Sequence, residues 1–201
     1  MSLDWQYEIA LRENETLICG CDEAGRGPLA GPVVAAAVIL PDGLYIEGLD
    51  DSKKLSDKKR EELYNIIREN CVDCAVGHAE VYEIEKYNIL NASILAMKRA
   101  VAKLKICPEL ALIDGNIARG FDVRAVPVIK GDSKCPSIAA ASVLAKVTRD
   151  RMMDEAEKIY GGYGLGKHKG YATKAHREAL LSLGVSPVHR PSFLKKLLGG
   201  E

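Results

Sequence analysis

The sequence predicts an α/β domain on a mixed sheet, closed by a helical C-terminal part. Two strand-like runs stand close together near the start, and helix and strand patterns then alternate from residue 56 to 159. From about residue 160 onward only loop and helix patterns remain. The chain has 201 residues, 47% of them hydrophobic, which is enough to bury one proper core. Residues 1–160 are therefore expected to form the main domain and residues 161–201 a helical extension packed on it.

Leu17–Cys21 reads as a short strand running into Asp22-Glu23, and Gly25-Arg26-Gly27-Pro28 as a tight turn. Gly31-Pro32 opens a second strand, Val33–Leu40, and Pro41-Asp42-Gly43 turns the chain again. Ser56 to Asn70 is a helix that Ser56 caps, with Leu63, Ile66 and Ile67 as its apolar face. Val72–Ala79 follows as a strand and Ala92–Lys105 as an amphipathic helix. Leu110–Ile113 is a buried strand ending at Asp114, with Gly115-Asn116 turning out of it. Val123–Ile129 is a further strand, ending at Lys130-Gly131-Asp132. Ser137–Ile159 reads as one long helix, Gly161–Gly170 as loop and Lys174–Leu183 as a last helix.

Composition excludes several classes. With 28 Lys+Arg against 28 Asp+Glu the net charge is nil and the apolar fraction ordinary, so the chain is not disordered. The acidic, broken start is not a secretory signal. The longest apolar stretch, Val33 to Leu40, falls far short of the ~18–20 residues a membrane span needs. Six irregularly spaced cysteines without secretory context read as reduced thiols, and a cytoplasmic location is expected. Cys71-Val72-Asp73-Cys74 leads from a helix into a strand and has no second pair for zinc, so both are expected to be buried thiols. The four histidines show no regular metal spacing. Charge is unevenly spread: residues 145–201 carry 11 Lys+Arg against 6 Asp+Glu, while residues 1–144 carry 17 against 22. A basic third beside an acidic remainder suits phosphate on one side and cations on the other, though chance asymmetry gives the same figures.

Three strand-like runs end in acids beside glycine: Asp22-Glu23-Ala24-Gly25, Asp114-Gly115 and Gly131-Asp132. Ligand sites of open α/β sheets lie outside strand ends, so these four carboxylates can converge there. Their mutual repulsion makes sense if divalent cations neutralise it, and oxygen-only ligation favours Mg²⁺ or Mn²⁺ over zinc. One Asp-Gly alone is ordinary turn chemistry; three such strand ends shift the balance toward metal. Gly25-Arg26-Gly27 offers close backbone approach and a planar donor fork, or merely a turn. Asp51-Ser52-Lys53-Lys54-Leu55, before a helix start, suits a phosphate as well as it suits solvent. Ser142, Lys146 and Arg149 fall on one helix face, a polar stripe of the kind that ordinarily meets water. His168-Lys169-Gly170-Tyr171 sets an aromatic ring beside amines, suited to stacking on a base or sugar, with core filling as the alternative.

The blocks CDEAGRGPLAGPVVAAAVIL, DDSKKLS, YNILNASILAMKRAV, LIDGN, VIKGDSK, IAAASVLAKVTRD and HKGYAT, in this order, closely resemble those of bacterial type 2 ribonuclease H, the ribonuclease HII family. The match runs from about Leu17 to Phe193. It implies a ribonuclease H-like fold with a helical C-terminal part, and a catalytic domain over residues 1–160. Carried over, the family's catalytic and metal-binding acids fall on Asp22, Glu23, Asp114 and Asp132. The nucleic-acid contacts fall on Gly25, Arg26, Gly27, Lys53, Lys54, Ser142, Lys146, Lys169 and Tyr171, with Tyr171 as the junction-sensing tyrosine. Type 3 relatives carry an extra N-terminal domain, for which sixteen residues ahead of the first strand leave no room.

The resemblance implies an endoribonuclease, acting on the RNA strand of RNA–DNA hybrids and cutting 5′ of single ribonucleotides in duplex DNA. It leaves 5′-phosphate and 3′-hydroxyl ends. Mn²⁺ or Mg²⁺ would serve as a pair ~3.5–4 Å apart about the scissile phosphate, one for the attacking water and one for the leaving oxygen. Asp22 and Asp114 would be the central ligands, completed by Glu23 and Asp132. A monomer is expected, with no membrane partner. The tail from Pro191 to Leu198 has no glutamine-led sliding-clamp motif. A non-catalytic hybrid-binding module, a junction resolvase of the same fold and a metal-dependent phosphatase remain as alternatives.

Overall fold

The computed structural model describes residues 3, 5–49 and 55–195. A short helix, α1 (Trp5–Ala10), precedes strands β1 (Ile18–Ala24) and β2 (Val33–Ile39). Then follow α2 (Asp57–Asn70), β3 (Asp73–Ala79), α3 (Val81–Ala102), β4 (Leu110–Asp114) and β5 (Arg124–Val128). A 3₁₀ turn over Gly131–Ser133 leads into the long α4 (Pro136–Ile159). The short α5 (Leu165–His168), α6 (Lys174–Leu183) and the short α7 (Pro191–Leu194) complete the chain.

The five strands form one mixed sheet in the order β3-β2-β1-β4-β5. β2 runs antiparallel to both neighbours, whereas β1, β4 and β5 are parallel. β2 is buried along its whole length, as expected for a central strand covered on both faces. Its side chains alternate: Val33, Ala35, Ala37 and Ile39 pack toward α3, while Ala36 and Val38 pack toward α2 and α4. The alanines let α4 lie close, and the approach is tightest at Gly20 of β1. A Cβ there would stand 2.2 Å from the Ser137 carbonyl carbon.

The helices depart from the sequence expectation in three places. α3 begins at Val81 rather than Ala92, started by a capping box in which Glu80 and Glu83 serve each other's backbone. Its first turns escape the 3.6-residue pattern because the helix is interrupted at Asn88, whose φ and ψ of 65° and 165° are non-helical. On α2, Ser56 does cap by accepting from the Lys59 amide at 3.2 Å, but the buried face is Arg60, Leu63 and Ile67. Ile66 is left exposed, one step round the helix from Ile67. The segment expected as plain loop after α4 contains α5.

α5 to α7 share a small core with the turn between β1 and β2. Leu29 and Ala30 pack there with Met153, Tyr163, Leu165, Leu180 and Leu194. Main-chain bonds seal the contact, from Leu29 N–H to the Gly170 carbonyl, Gly31 N–H to Val188 and Arg190 N–H to Leu29, each 2.8 Å. Cys19, Cys21 and Cys135 are buried, whereas Cys71 and Cys74 are only half-buried, against expectation, because they sit where α2 hands over to the edge strand β3. Among the described residues no helix is long and apolar enough to cross a membrane.

Candidate active site

Parallel pairing of β1, β4 and β5 brings the carboxyl ends of all three strands to one edge of the sheet. Cys21 is in register with Ile113 and Asp114 with Val128, so Asp22 and Asp114 are each the next residue on adjacent strands. Asp132 follows β5 in the 3₁₀ turn. The Gly131 amide donates to Asp114 Oδ1 at 2.7 Å, which ties that turn to β4. Gly131 is needed there, since a Cβ would meet Ile138 Cδ1 at 2.5 Å and Asp114 Oδ1 at 3.3 Å.

Asp22 is buried, and its carboxyl is pushed well above the usual range, first by desolvation and then by the charges of Glu23 and Asp114. Opposing this, the Ser142 hydroxyl and the Glu23 amide donate to Asp22, the latter at 2.7 Å. Glu23 is turned toward Arg26, with Nη1 to Oε1 at 3.1 Å. Asp132 is buried as well. Among the described residues, no three His, Cys, Asp or Glu side chains converge, as they stand, closely enough to hold a metal ion. Glu23 faces Arg26 and Asp114 faces the Gly131 amide instead. The donor set itself suits a hard divalent cation: it offers only carboxylate oxygens, and a buried Asp22 beside two other acids is relieved by positive charge.

The other expected contact residues divide. Gly25, Arg26 and Gly27 follow directly from the acid pair, with Gly25 at a φ of 99° that its lack of a side chain permits. The Tyr171 ring is 45% exposed and lies beside Gly27, where an added Cβ would stand 3.9 Å from Cε1. This excludes core filling. The Lys146 ammonium sits 5.9 Å from the Tyr171 ring centre and pairs with Asp150 at 2.7 Å. Lys169 is drawn back onto α4, bonded to Asp154. Ser142 and Arg149 are buried, so these two members of the stripe on α4 face inward: α4 lies against β1 and β2, and both find partners beneath it. Lys53 and Lys54 lie outside the described residues.

Two anchors were missed from sequence. Three histidines hold the Tyr171 segment. His176 Nδ1–H donates to the Tyr171 carbonyl at 2.9 Å, so its Nε2 accepts from His189 Nε2–H at 3.1 Å. His189 Nδ1 in turn accepts from Ser186 N–H at 3.2 Å and Oγ–H at 2.8 Å. His168 donates to the Tyr163 carbonyl at 2.8 Å and stacks on His176 with ring centres 4.3 Å apart. The second anchor is the buried pair Arg149 and Arg190, which grip the chain around Gly25–Pro32. Their partners are main-chain carbonyls far away in sequence, which no local pattern reveals.

A mixed sheet with carboxylates gathered at the ends of its parallel strands, helices on both faces and a helical C-terminal part defines the ribonuclease H-like class. Comparison with known proteins narrows this. The family model described as Ribonuclease HII matches residues 19–196. A ribonuclease HII from Clostridioides difficile (strain 630) is 51% identical over 181 residues, covering 90% of this chain and 71% of the relative. Among solved structures, ribonuclease H2 from Pyrococcus horikoshii OT3 superposes with a TM-score of 0.73 at 26% identity, covering 90% of this chain and 97% of that one. The ribonuclease HII of Archaeoglobus fulgidus, solved in complex with PCNA, gives 0.72 at 30% identity, covering 87% and 94%. The chain belongs to the ribonuclease HII family, and is thus a metal-dependent hydrolase, a type 2 ribonuclease H.

Proposed function

We propose that this protein hydrolyses the RNA strand of RNA–DNA hybrids and also cuts duplex DNA on the 5′ side of a single embedded ribonucleotide. The observation that carries the reading is the placement of Asp22, Glu23 and Asp114 at the ends of adjacent parallel strands, with Asp132 in the turn bonded to Asp114. Asp22, Glu23, Asp114 and Asp132 are the residues that would hold Mn²⁺ or Mg²⁺. When bound, such ions lower the pKa of an attacking water and take up charge on the leaving oxygen, which fits 5′-phosphate and 3′-hydroxyl products. The chain's own part is to aim these acids. Ser142 and the Glu23 amide hold Asp22 from below, and the Gly131 amide holds Asp114. At one side of the acids, the Gly25-Arg26-Gly27 turn offers main-chain donors to the 2′-hydroxyl, the group that separates RNA from DNA. The exposed Tyr171 ring beside Gly27 is placed to stack on the sugar that follows. Lys146, next to Tyr171, supplies positive charge for the backbone.

The test compares a duplex carrying one ribonucleotide, an all-DNA duplex and a long hybrid, with wild type and Asp114→Asn, under Mg²⁺, Mn²⁺ or chelator. Metal-dependent cutting on the 5′ side of the ribonucleotide, lowered at least 10³-fold in the variant, is expected. Cutting of all-DNA would sink the reading, and binding without cutting would leave only a recognition module.

A further inference from the structure

Arg149 of α4 and Arg190, at the N-cap of α7, are fully buried at 1% and 0% exposure. Buried guanidinium groups ordinarily face a carboxylate. These two are hydrogen-bonded to main-chain carbonyls instead. Arg190 donates to the carbonyls of Gly25 (2.7 Å), Arg26 (3.1 Å), Pro28 (2.8 Å), Gly31 (2.7 and 2.9 Å) and Pro32 (3.2 Å). Arg149 donates to Ala30 (3.0 Å), Pro32 (3.1 Å) and, across the gap to the Tyr171 segment, Lys169 (3.0 Å). Carbonyls aimed at one point repel unless a cation sits at the centre, and only a planar fork with five N–H groups satisfies so many at once.

The consequence lies on the outer side of the turn. In a trans peptide the N–H points opposite to the carbonyl before it. With the Gly25 and Arg26 carbonyls drawn in to Arg190, the amides of Arg26 and Gly27 point away from the buried guanidinium. Gly25 cannot carry a side chain here: a Cβ would stand 2.1 Å from Arg149 Nε. The same Arg149 joins this turn to residue 169, two positions before Tyr171.

We propose that Arg190 and Arg149 are positioning residues for ribonucleotide recognition: Arg190 sets the direction of the Arg26 and Gly27 amides, and Arg149 locks that turn and the Tyr171 segment into one reading unit. Neither touches substrate. The inference rests on the reading above, that this turn and Tyr171 read the ribonucleotide.

The experiment measures kcat and KM for wild type, Tyr171→Ala, Arg149→Lys and Arg190→Lys on the single-ribonucleotide duplex and on a long hybrid. Amide hydrogen exchange is followed in parallel at Leu29 and Gly31. Lysine keeps the charge but reaches one carbonyl where arginine reaches several. Arg149→Lys is expected to lower kcat/KM at least tenfold on the single ribonucleotide and no more than threefold on the hybrid, with exchange at Leu29 and Gly31 at least tenfold faster. If Arg190→Lys does not fold, Arg149→Lys carries the test. Equal losses on both substrates, or none, would overturn the inference. If Tyr171→Ala shifts the substrate ratio and Arg149→Lys does not, the clamp fails while the functional reading stands. If wild type ignores the single ribonucleotide, the functional reading itself falls, and the clamp's role with it.

Discussion

Acid should loosen the C-terminal part through its histidines before it affects much else. His189 is 1% exposed and burial pushes it down to about 4, helped by the neighbouring His176, which burial also lowers. The hydrogen bonds explain why a proton is unwelcome. His189 Nδ1 accepts from two Ser186 donors, and His176 Nε2 accepts from His189, so a new N–H at either ring meets an existing one. A histidine whose folded pKa lies below its unfolded value stabilises fully only above the unfolded value. That contribution is lost as pH falls from about 6.5 toward 4, and changes no further below. With 6.5 unfolded and about 4 folded, the loss from His189 alone between pH 7.5 and pH 5 is ~2 kcal/mol. The measurement is urea unfolding at both pH values, for wild type and for His189→Gln, whose amide keeps a donor near Nε2. The comparison is needed because buried Glu8, raised by desolvation, stabilises in the opposite sense as pH falls. The variant should lose ~2 kcal/mol less than wild type on acidification. If it loses as much, the histidine chain does not govern the acid response.

Packing and capping give two further expectations. Gly20→Ala drives a methyl into the Ser137 main chain at 2.2 Å, where neither strand nor helix can give way cheaply. The cost should be ~1–3 kcal/mol or more, read as a lower urea midpoint at unchanged slope. Ser56→Ala removes the acceptor for the Lys59 amide at the start of α2, and ~1 kcal/mol of stability should go with it in the same assay.

The placement of the acids at strand ends was legible in the sequence because the features that mark such ends are local. Asp22 closes an apolar run three residues before Gly25, Asp114 directly precedes Gly115 and Asp132 directly follows Gly131, so strand, terminus and turn are all written within a few residues. Parallel pairing then does what such strands do and brings their carboxyl ends to one edge. α3 was only half legible. Its later turns carry buried Ala92, Ala96, Met97 and Ala100 at helical spacing, but its start depends on a glutamate cap and a break at Asn88 that apolar periodicity does not register.

Arg149 shows a different kind of blindness. Sequence alone gives it a place on a helix face with Ser142 and Lys146, and long polar side chains on such a face normally meet water. Two of its three partners, the carbonyls of Ala30 and Pro32, are 119 and 117 residues away, and those of Arg190 are 158 to 165 away. A carboxylate partner at such a distance would at least leave an unexplained acid to search for. A carbonyl partner leaves nothing, because every residue has one. What the sequence does hold is the complementary half: the glycines at 25 and 31, whose positive φ values bend the turn so that its carbonyls point inward. A glycine-rich turn next to strand-end acids thus asks two questions, what its amides face and what holds its carbonyls, and the second is answered here by two buried arginines.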